Sequence, residues 1–276
     1  MKTIKTLFTA VICLLLLSLP MHALQAEATP NQKTTYLTVT KLHWNMDMKD
    51  FDMDTWKSIE KEYLNKVVRK NEHILSASYY LHQMTPDSRD VLYVQSFASW
   101  NDIEKSWSRS AALEKEAWTN EKHLKEFRGK KNAYFDMDHS DEIYVVLPHT
   151  KPLNSKGKDM ICYIRTNHML PIERGSTDEI RGLITDHFDK MIKDNHLIKG
   201  YYTFRHAWGS DGSEMVEAYF FDSMTDMDSM FEGMNALEEK MWPNEKDRKD
   251  RTEKFKKYFT PVHGDAIFKY IADLSK

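Results

Sequence analysis

The sequence contains an internal repeat, and no other feature constrains the fold as strongly. The 32 residues Ala112–Ile143 align without a gap to Ala236–Ile267, which lie 124 positions later, and 14 of the 32 are identical. The shared residues include Trp118 and Trp242, and each copy has a His-x-Asp triplet near its end. Because similar sequences fold alike, we predict two units of the same architecture within one chain.

The first 26 residues have the pattern of a secretory signal peptide. Lys2 and Lys5 precede an apolar run from Leu7 to Leu19, and small residues follow around Ala26 and Ala28, where we predict cleavage. The run is shorter than the roughly 20 apolar residues of a membrane span. We therefore predict an exported protein, periplasmic or extracellular, with no membrane contact after cleavage. An uncleaved anchor is the alternative.

The chain that would remain after cleavage is mildly acidic and has one thiol. It carries 37 basic and 42 acidic residues, a net charge of −5 with His neutral. A chain of this charge without a basic stripe argues against nucleic acid as a partner. Cys162 is its only cysteine, so no internal disulfide can form. Packing must therefore hold the fold.

Both halves show the same succession of strand and helix patterns. Strands are indicated by alternating apolar residues, and helices by apolar residues at intervals of three and four. The order is strand, helix, two strands joined by a turn, a helical region and a last strand, or βαββαβ. Predicted boundaries are 35–147 for the first repeat, 148–158 for a Pro- and Gly-containing linker, and 159–273 for the second repeat.

Each βαββαβ unit is an antiparallel sheet with helices on one face, which leaves the other face bare. We therefore predict an α+β fold in which the two sheets pack on each other. This pattern resembles the dimeric α/β-barrel superfamily of ferredoxin-like domains, here as a tandem fusion spanning residues 35–273. The resemblance implies an α/β barrel, and its members include cofactor-free monooxygenases, isomerases, haem-binding or haem-degrading enzymes, and proteins that only bind ligands. Fold alone does not choose among these functions.

Alternation along the strands predicts which side chains line a cavity between the sheets. The first strands are matched at an offset of 124 residues, and the hairpins at 123 before the turn and 124 after it. The predicted ligand-binding residues share one phase of these strands: Lys41, His43, Tyr80, His82, Tyr93, Arg165, Asn167, Arg205, Glu217 and Tyr219. Aromatic rings with a few charges suit a small organic ligand, and the basic donors favour an anionic or carbonyl-bearing one. Alternatively, these groups face solvent or pair with each other.

The candidate catalytic residues are the duplicated pairs His139 with Asp141 and His263 with Asp265. An Asp can orient an imidazole for proton transfer, and two His with two carboxylates could bind a divalent metal. In the structural alternative, each Asp fixes the turn that enters the last strand. Retention in both copies favours the structural role, because one active site would suffice.

The sequence lacks the motifs of several enzyme classes. It has no phosphate-binding Gly loop, nucleophile elbow, HExxH or CxxC motif. We predict an exported protein that binds a small organic ligand, with no metal and no cofactor, and we leave open a homo-oligomer and whether it is an enzyme. The alternative is a cofactor-free monooxygenase or isomerase, or a haem-binding barrel enzyme.

Overall fold

The computed structural model describes residues 34–173 and 176–276, which contain two runs of the same element order. The predicted signal peptide, residues 1–26, lies outside these residues. The first run comprises β1 (Tyr36–His43), α1 (Met53–Lys66), β2 (Ser76–Met84), β3 (Asp90–Phe97), α2 (Trp100–Ala117), α3 (Glu121–Asn132) and β4 (Ser140–Val146). The second run comprises β5 (Met160–Met169), α4 (Thr177–His187), β6 (Gly200–Trp208), β7 (Glu214–Phe221), α5 (Met224–Met241), α6 (Glu245–Lys256) and β8 (Phe259–Tyr270).

Polar side chains begin the helices at equivalent positions in both halves. Ser99 and Ser223 accept backbone N–H groups at the starts of α2 and α5, and Asn120 and Asn244 do so for α3 and α6. Such caps satisfy donors that have no partner within the helix. The N-cap of α1 is Asp52, whose side chain accepts from the backbone N–H of Thr55. No helix in the described ranges has the length and apolar character of a membrane span.

The eight strands form one closed antiparallel barrel in the order β1-β3-β2-β8-β5-β7-β6-β4. Within each half the order is that of a ferredoxin-like sheet, and the halves join where β2 pairs with β8 and β4 pairs with β6. Closure removes the unpaired edges that each sheet would otherwise expose. The predicted α+β barrel of two βαββαβ units is therefore confirmed.

The inside of the barrel is a packed core to which both halves contribute. Tyr80 of the first half and Tyr202 and Phe204 of the second pack against a set of buried apolar side chains. That set comprises Leu92, Met160, Cys162, Ala218, Phe220, Phe268 and Tyr270. Burial raises the pKa of the Cys162 thiol, so it remains protonated. Apolar and aromatic side chains of both halves therefore meet inside the barrel.

The outer faces of the strands pack against the helices in separate clusters for each half. In the first half, the fully buried Trp56 of α1 lies against Trp44 and Tyr79. In the second half, Met227 and Met230 of α5 pack over the sheet. Methionine side chains are flexible and fill irregular gaps in such a core.

The first strands of the two halves are offset by 125 residues and not by the predicted 124. Tyr36 pairs with Phe97, and Ile161 pairs with Phe221. Since Phe97 and Phe221 are 124 residues apart, Tyr36 is equivalent to Ile161. A shift of one residue moves every side chain to the opposite face of a strand. The predicted matches between β1 and β5 therefore joined residues on opposite faces.

The hairpin strands contain a second error of the same kind. Ser76 pairs with Ser96 and Gly200 pairs with Phe220, so β2 and β6 are equivalent at an offset of 124. The predicted offset of 123 reversed the faces of β6 relative to β2. As a result, the polar phase of the second half lies on the helix side of the sheet, outside the barrel core.

Candidate functional site

A pocket of about 230 Å³ lies in the second half, between the helix side of the sheet and helices α4 and α6. Its floor is formed by β5, β6 and β7, and its far wall by α4, α6 and the start of β8. The pocket is lined by Arg165, Asn167, Ile184, His187, Tyr201, Met215, Glu217, Arg251, Phe255 and Phe259. Apolar rings with a few convergent polar groups are typical of small-molecule sites.

Glu217 accepts hydrogen bonds from three side chains at the floor of the pocket. The hydroxyls of Tyr201 and Tyr219 donate to Oε1 at 2.7 and 2.9 Å, and Asn167 Nδ2 donates to Oε2 at 2.9 Å. Arg165 Nε in turn donates to Asn167 Oδ1 at 3.2 Å. Burial, with the Glu217 charge added, raises the pKa of both tyrosines well above its ordinary value. The hydroxyls therefore stay protonated and hold the carboxylate in place.

His187 and Arg251 form the opposite wall. Arg251 donates to His187 Nδ1 at 3.0 Å, and because a guanidinium only donates, Nδ1 must accept and Nε2 must carry the ring proton. Burial lowers the pKa of His187, so the ring is neutral. Its Nε2–H has no hydrogen-bond partner among residues 34–173 and 176–276. The ring thus offers one donor beside the pocket.

Arg251 is fixed by aromatic stacking. Its guanidinium lies over the rings of Trp242 at 4.2 Å and Phe255 at 4.7 Å. Asp186 and Glu238 are its nearest carboxylates at 3.9 and 3.8 Å, which is longer than a hydrogen bond. Burial lowers the pKa of Arg251 from its ordinary value. The stacking sets the direction in which Arg251 points at His187.

The same space is filled in the first half. The offset of 124 residues makes Tyr63 equivalent to His187 and Phe127 equivalent to Arg251, and these two rings are stacked at 6.4 Å. Glu60 replaces Ile184, is buried, and binds Tyr79 and Lys131 at 2.9 and 3.0 Å. Apolar rings and an internal ion pair therefore take the place of the pocket. The two copies have diverged at this position.

The backbone also differs next to the pocket. Directly after His187, helix α4 continues as a π-helical turn over Phe188–Ile192. In the first half, α1 ends at Lys66 and a short 3₁₀ turn follows at Val68–Lys70. π-helical turns are rare and occur often at functional sites. The π-helical turn thus occurs in the half that contains the pocket.

The residues predicted to bind a ligand are divided between the two faces of the sheet. Arg165, Asn167 and Glu217 line the pocket, and Tyr219 donates to Glu217. Arg205 shares the helix-side phase of β6, and Tyr93 packs on the helix side of the first half. Lys41, His43, Tyr80 and His82 belong to the barrel-side phase of the first half. A single interior shared by Lys41, His82, Arg165 and Arg205, as predicted, is therefore wrong.

The two His-x-Asp pairs lie in or beside the last strands and not in a turn before them. His139 immediately precedes β4, which includes Asp141, and both His263 and Asp265 lie within β8. Asp141 accepts the hydroxyl of Thr40 at 2.7 Å, and Asp265 accepts that of Tyr163 at 2.6 Å. In each pair, His Nε2 is 3.5 or 3.2 Å from the carboxylate. Their catalytic role and their structural role both stay predictions.

Sequence reasoning missed His187 and Arg251. Both lie on helices, whereas the search for candidates followed the strands. The signal that could have found them is the comparison of the repeats, because Arg251 stands where the first copy has Phe127, and His187 stands where it has Tyr63. A change from a ring to a charged or titratable group at one position of a duplicated core indicates divergence of function.

No protein-family model and no curated protein sequence matches this chain. Solved structures are similar in fold. An anthrone oxidase-like protein is 12% identical, with 89% of this chain and 94% of that chain covered at a TM-score of 0.51. A candidate monooxygenase from Fusobacterium nucleatum is 9% identical, with 86% and 93% covered at 0.51. A mutant chlorite dismutase from Candidatus Nitrospira defluvii is 10% identical, with 87% and 92% covered at 0.50.

These similarities extend over most of every chain compared, which agrees with the element order and the closed barrel. The chain has the dimeric α/β-barrel fold, with its two ferredoxin-like units fused in tandem. At identities of 9–12% the similarity defines the fold alone. The chemistry of the site must be argued from the side chains that line the pocket.

Proposed function

We propose that this chain is an exported protein that binds a small organic ligand in the pocket of its second half. One observation carries the proposal. The second half has replaced the stacked rings of the first half by His187 and Arg251, which line the pocket, and the buried Nε–H of Arg251 has no hydrogen-bond partner within residues 34–173 and 176–276. A buried donor without a partner is costly for a folded chain. A ligand that accepts this hydrogen bond would remove the cost.

The lining defines the class of ligand. His187 and Arg165 are donors, so the polar end of the ligand should be a hydrogen-bond acceptor, such as a carboxylate, a carbonyl or a phenolate oxygen. Phe255 and Phe259 offer rings on which a flat apolar body can stack. The volume of about 230 Å³ equals that of about eight water molecules at about 30 Å³ each. The ligand is therefore a small, ring-containing acid or ketone.

The pocket favours binding over proton transfer. Glu217 is its carboxylate, and three donors already engage both oxygens. A general base needs a lone pair that can reach the substrate. Nδ1 of His187 is likewise engaged by Arg251. A cofactor-free oxygenase or isomerase remains the second proposal, since solved structures of the same fold include an anthrone oxidase-like protein and a candidate monooxygenase.

The residues of the pocket do not fit a haem. An axial histidine binds iron through a nitrogen without a proton and usually donates its other N–H to a carboxylate or carbonyl. His187 has the reverse arrangement, because Arg251 requires Nδ1 to accept and Nε2 to be protonated. The stacked rings of Phe255 and Phe259 also occupy part of the pocket wall. We therefore propose a site without haem.

The experiment measures binding of benzoate and acetophenone by ligand-observed NMR and crystal soaking. We expect both to bind the wild-type chain next to His187. The double variant His187→Tyr/Arg251→Phe restores the residues of the first half and should weaken binding at least about tenfold, the effect of about 1.4 kcal/mol. The exposed control Lys249→Ala should bind as the wild type does.

Equal binding by the double variant and the wild type would overturn the proposal, and so would the absence of binding to either at millimolar probe. Circular dichroism of the double variant separates loss of binding from loss of fold. Added hemin should give no saturable Soret band, and a stable band would contradict the haem argument.

Export predicts an N-terminus at residue 27 or 29 in the secreted protein, and an intact Met1 would exclude cleavage.

A further inference from the structure

A second cluster of polar side chains lies at one end of the barrel, in the first half. It contains His43 at the end of β1, Asp90 at the start of β3, and Asp87 in the turn before β3. His43 and Asp90 are cross-strand partners. One ligand atom from each of the three residues lies within 4.8 Å of the others. Neither the pocket nor the proposed function uses these residues.

Asp90 is a buried carboxylate with an incompletely satisfied oxygen. Its side chain is 1% exposed, and Oδ1 lies 3.1 Å from Lys41 Nζ and 3.2 Å from His43 Nε2. Neither contact has the geometry of a hydrogen bond, so Oδ1 is buried without a hydrogen-bond partner within residues 34–173 and 176–276. Buried polar atoms are normally hydrogen-bonded, and each exception needs an explanation.

The orientation of His43 supplies that explanation. Nδ1 is 3.3 Å from the backbone oxygen of Asp138, and since a carbonyl only accepts, Nδ1 carries the ring proton. Nε2 then faces the buried Asp90 Oδ1 at 3.2 Å, and a cation between these two atoms would bind both of them. A ring N–H on a backbone carbonyl is also the usual support of a metal-binding histidine.

The distance between the two atoms suits a bound metal. Zinc binds His nitrogen and carboxylate oxygen at about 2.0–2.2 Å, and two ligands of a tetrahedron are then about 3.3 Å apart. The 3.2 Å between His43 Nε2 and Asp90 Oδ1 agrees with that separation. Asp87 is 34% exposed, and one of its oxygens lies within 4.8 Å of the other two ligand atoms. Arg89 donates to both Asp87 oxygens, so Asp87 would supply the third ligand by turning part of its carboxylate away from Arg89.

The charges of the cluster leave room for a divalent cation. Asp87, Asp90 and Asp136 carry three negative charges, and Arg89 binds both Asp87 and Asp136. Lys41 is 39% exposed and can move into solvent. Without Lys41, three carboxylates and one guanidinium leave an excess of two negative charges.

In the second half, neighbouring side chains contact the acidic residues of the equivalent cluster. The equivalent residues are His168, Asp211 and Glu214. There the Tyr144 hydroxyl donates to Glu214 at 2.6 Å, and His168 Nδ1 lies 3.1 Å from Asp211. Glu214, the equivalent of Asp90, thus accepts a hydrogen bond that Asp90 Oδ1 lacks, which makes His168 a matched control.

We propose that His43, Asp87 and Asp90 bind a divalent transition metal of the zinc class at this end of the barrel, with water in the remaining position. One imidazole and two carboxylates form a mixed N and O donor set that such ions accept. Access is from solvent, through the rim formed by Asp87 and Lys41. The site is independent of the ligand pocket of the second half.

The test titrates ZnSO₄ into the full chain, after chelator treatment, by isothermal titration calorimetry. We expect one equivalent to bind and Co²⁺ to give visible absorption bands at the same stoichiometry. His43→Ala and Asp87→Asn should each weaken zinc binding at least about tenfold, since loss of even an outer partner costs about 10–100-fold. His168→Ala should leave zinc binding unchanged.

Wild-type protein without saturable zinc uptake at millimolar metal and without a Co²⁺ band would overturn the proposal. Equal loss in His168→Ala and His43→Ala would also overturn it. Circular dichroism of each variant confirms that the fold is retained. Asp87 is on the rim, so Asp87→Asn keeps the test valid if His43→Ala does not fold.

Discussion

Replacing Trp56 by Ala should lower the free energy of unfolding by about 3–5 kcal/mol. The indole is fully buried under the first sheet and makes edge-to-face contacts with Trp44 at 4.9 Å, Tyr79 at 5.4 Å and Phe135 at 6.4 Å. Truncation would remove this contact area and leave a cavity that the surrounding rings cannot fill. Urea unfolding followed by far-UV circular dichroism measures the loss.

The matched control is Trp107→Ala. Trp107 lies on α2 and is 67% exposed, so its removal should change the free energy of unfolding by no more than about 0.5 kcal/mol. Because β2 pairs with β8, the loss at Trp56 should shift the transition of the whole barrel. Equal unfolding midpoints for the two variants would show that the first-half core is not packed around Trp56.

Glu217→Ala should cost about 3 kcal/mol or more, because each buried donor left without an acceptor costs about 1–3 kcal/mol. Tyr201, Tyr219 and Asn167 would all lose their acceptor in this variant. The same urea experiment measures the change. Binding of benzoate should also weaken, since Asn167 would no longer hold Arg165 in place.

Tyr201→Phe serves as the comparison for Glu217→Ala. It removes one donor and leaves the carboxylate with two, so about 1 kcal/mol should be lost. If the two variants lose the same stability, the carboxylate does not act as a common acceptor. A Glu217→Ala variant as stable as the wild type would place Glu217 in solvent and would remove the floor of the proposed site.

The faces of the strands could not be predicted from alternation alone. A strand shows which residues share a face, but it does not show which face is covered by helices. In the second half both phases carry aromatic rings, since Tyr201 and Tyr219 lie on the helix side and Tyr202 and Phe220 lie in the barrel. Side-chain polarity therefore did not distinguish the helix-facing side of these strands from the barrel-facing side. A one-residue error in the alignment of the repeats was then enough to reverse a strand.

Only part of the candidate site could be predicted from the sequence. Arg165, Asn167 and Glu217 were identified because they share one phase of neighbouring strands, and they do lie together. His187 and Arg251 could not be added, because they reach the sheet from α4 and α6, far away in sequence. Their contact at 3.0 Å depends on how the two helices pack over the sheet.

The sequence by itself determined the duplication, the βαββαβ order of each half and the need for the two bare sheet faces to cover each other. These follow from local periodicity and from the similarity of the copies, both of which can be read along the chain. Only the tertiary structure decided that the barrel interior is a packed core and that the pocket lies under the helices of the second half. The physical reason is that register and helix packing are set by contacts between residues distant in sequence, and a shift of one residue exchanges inside and outside.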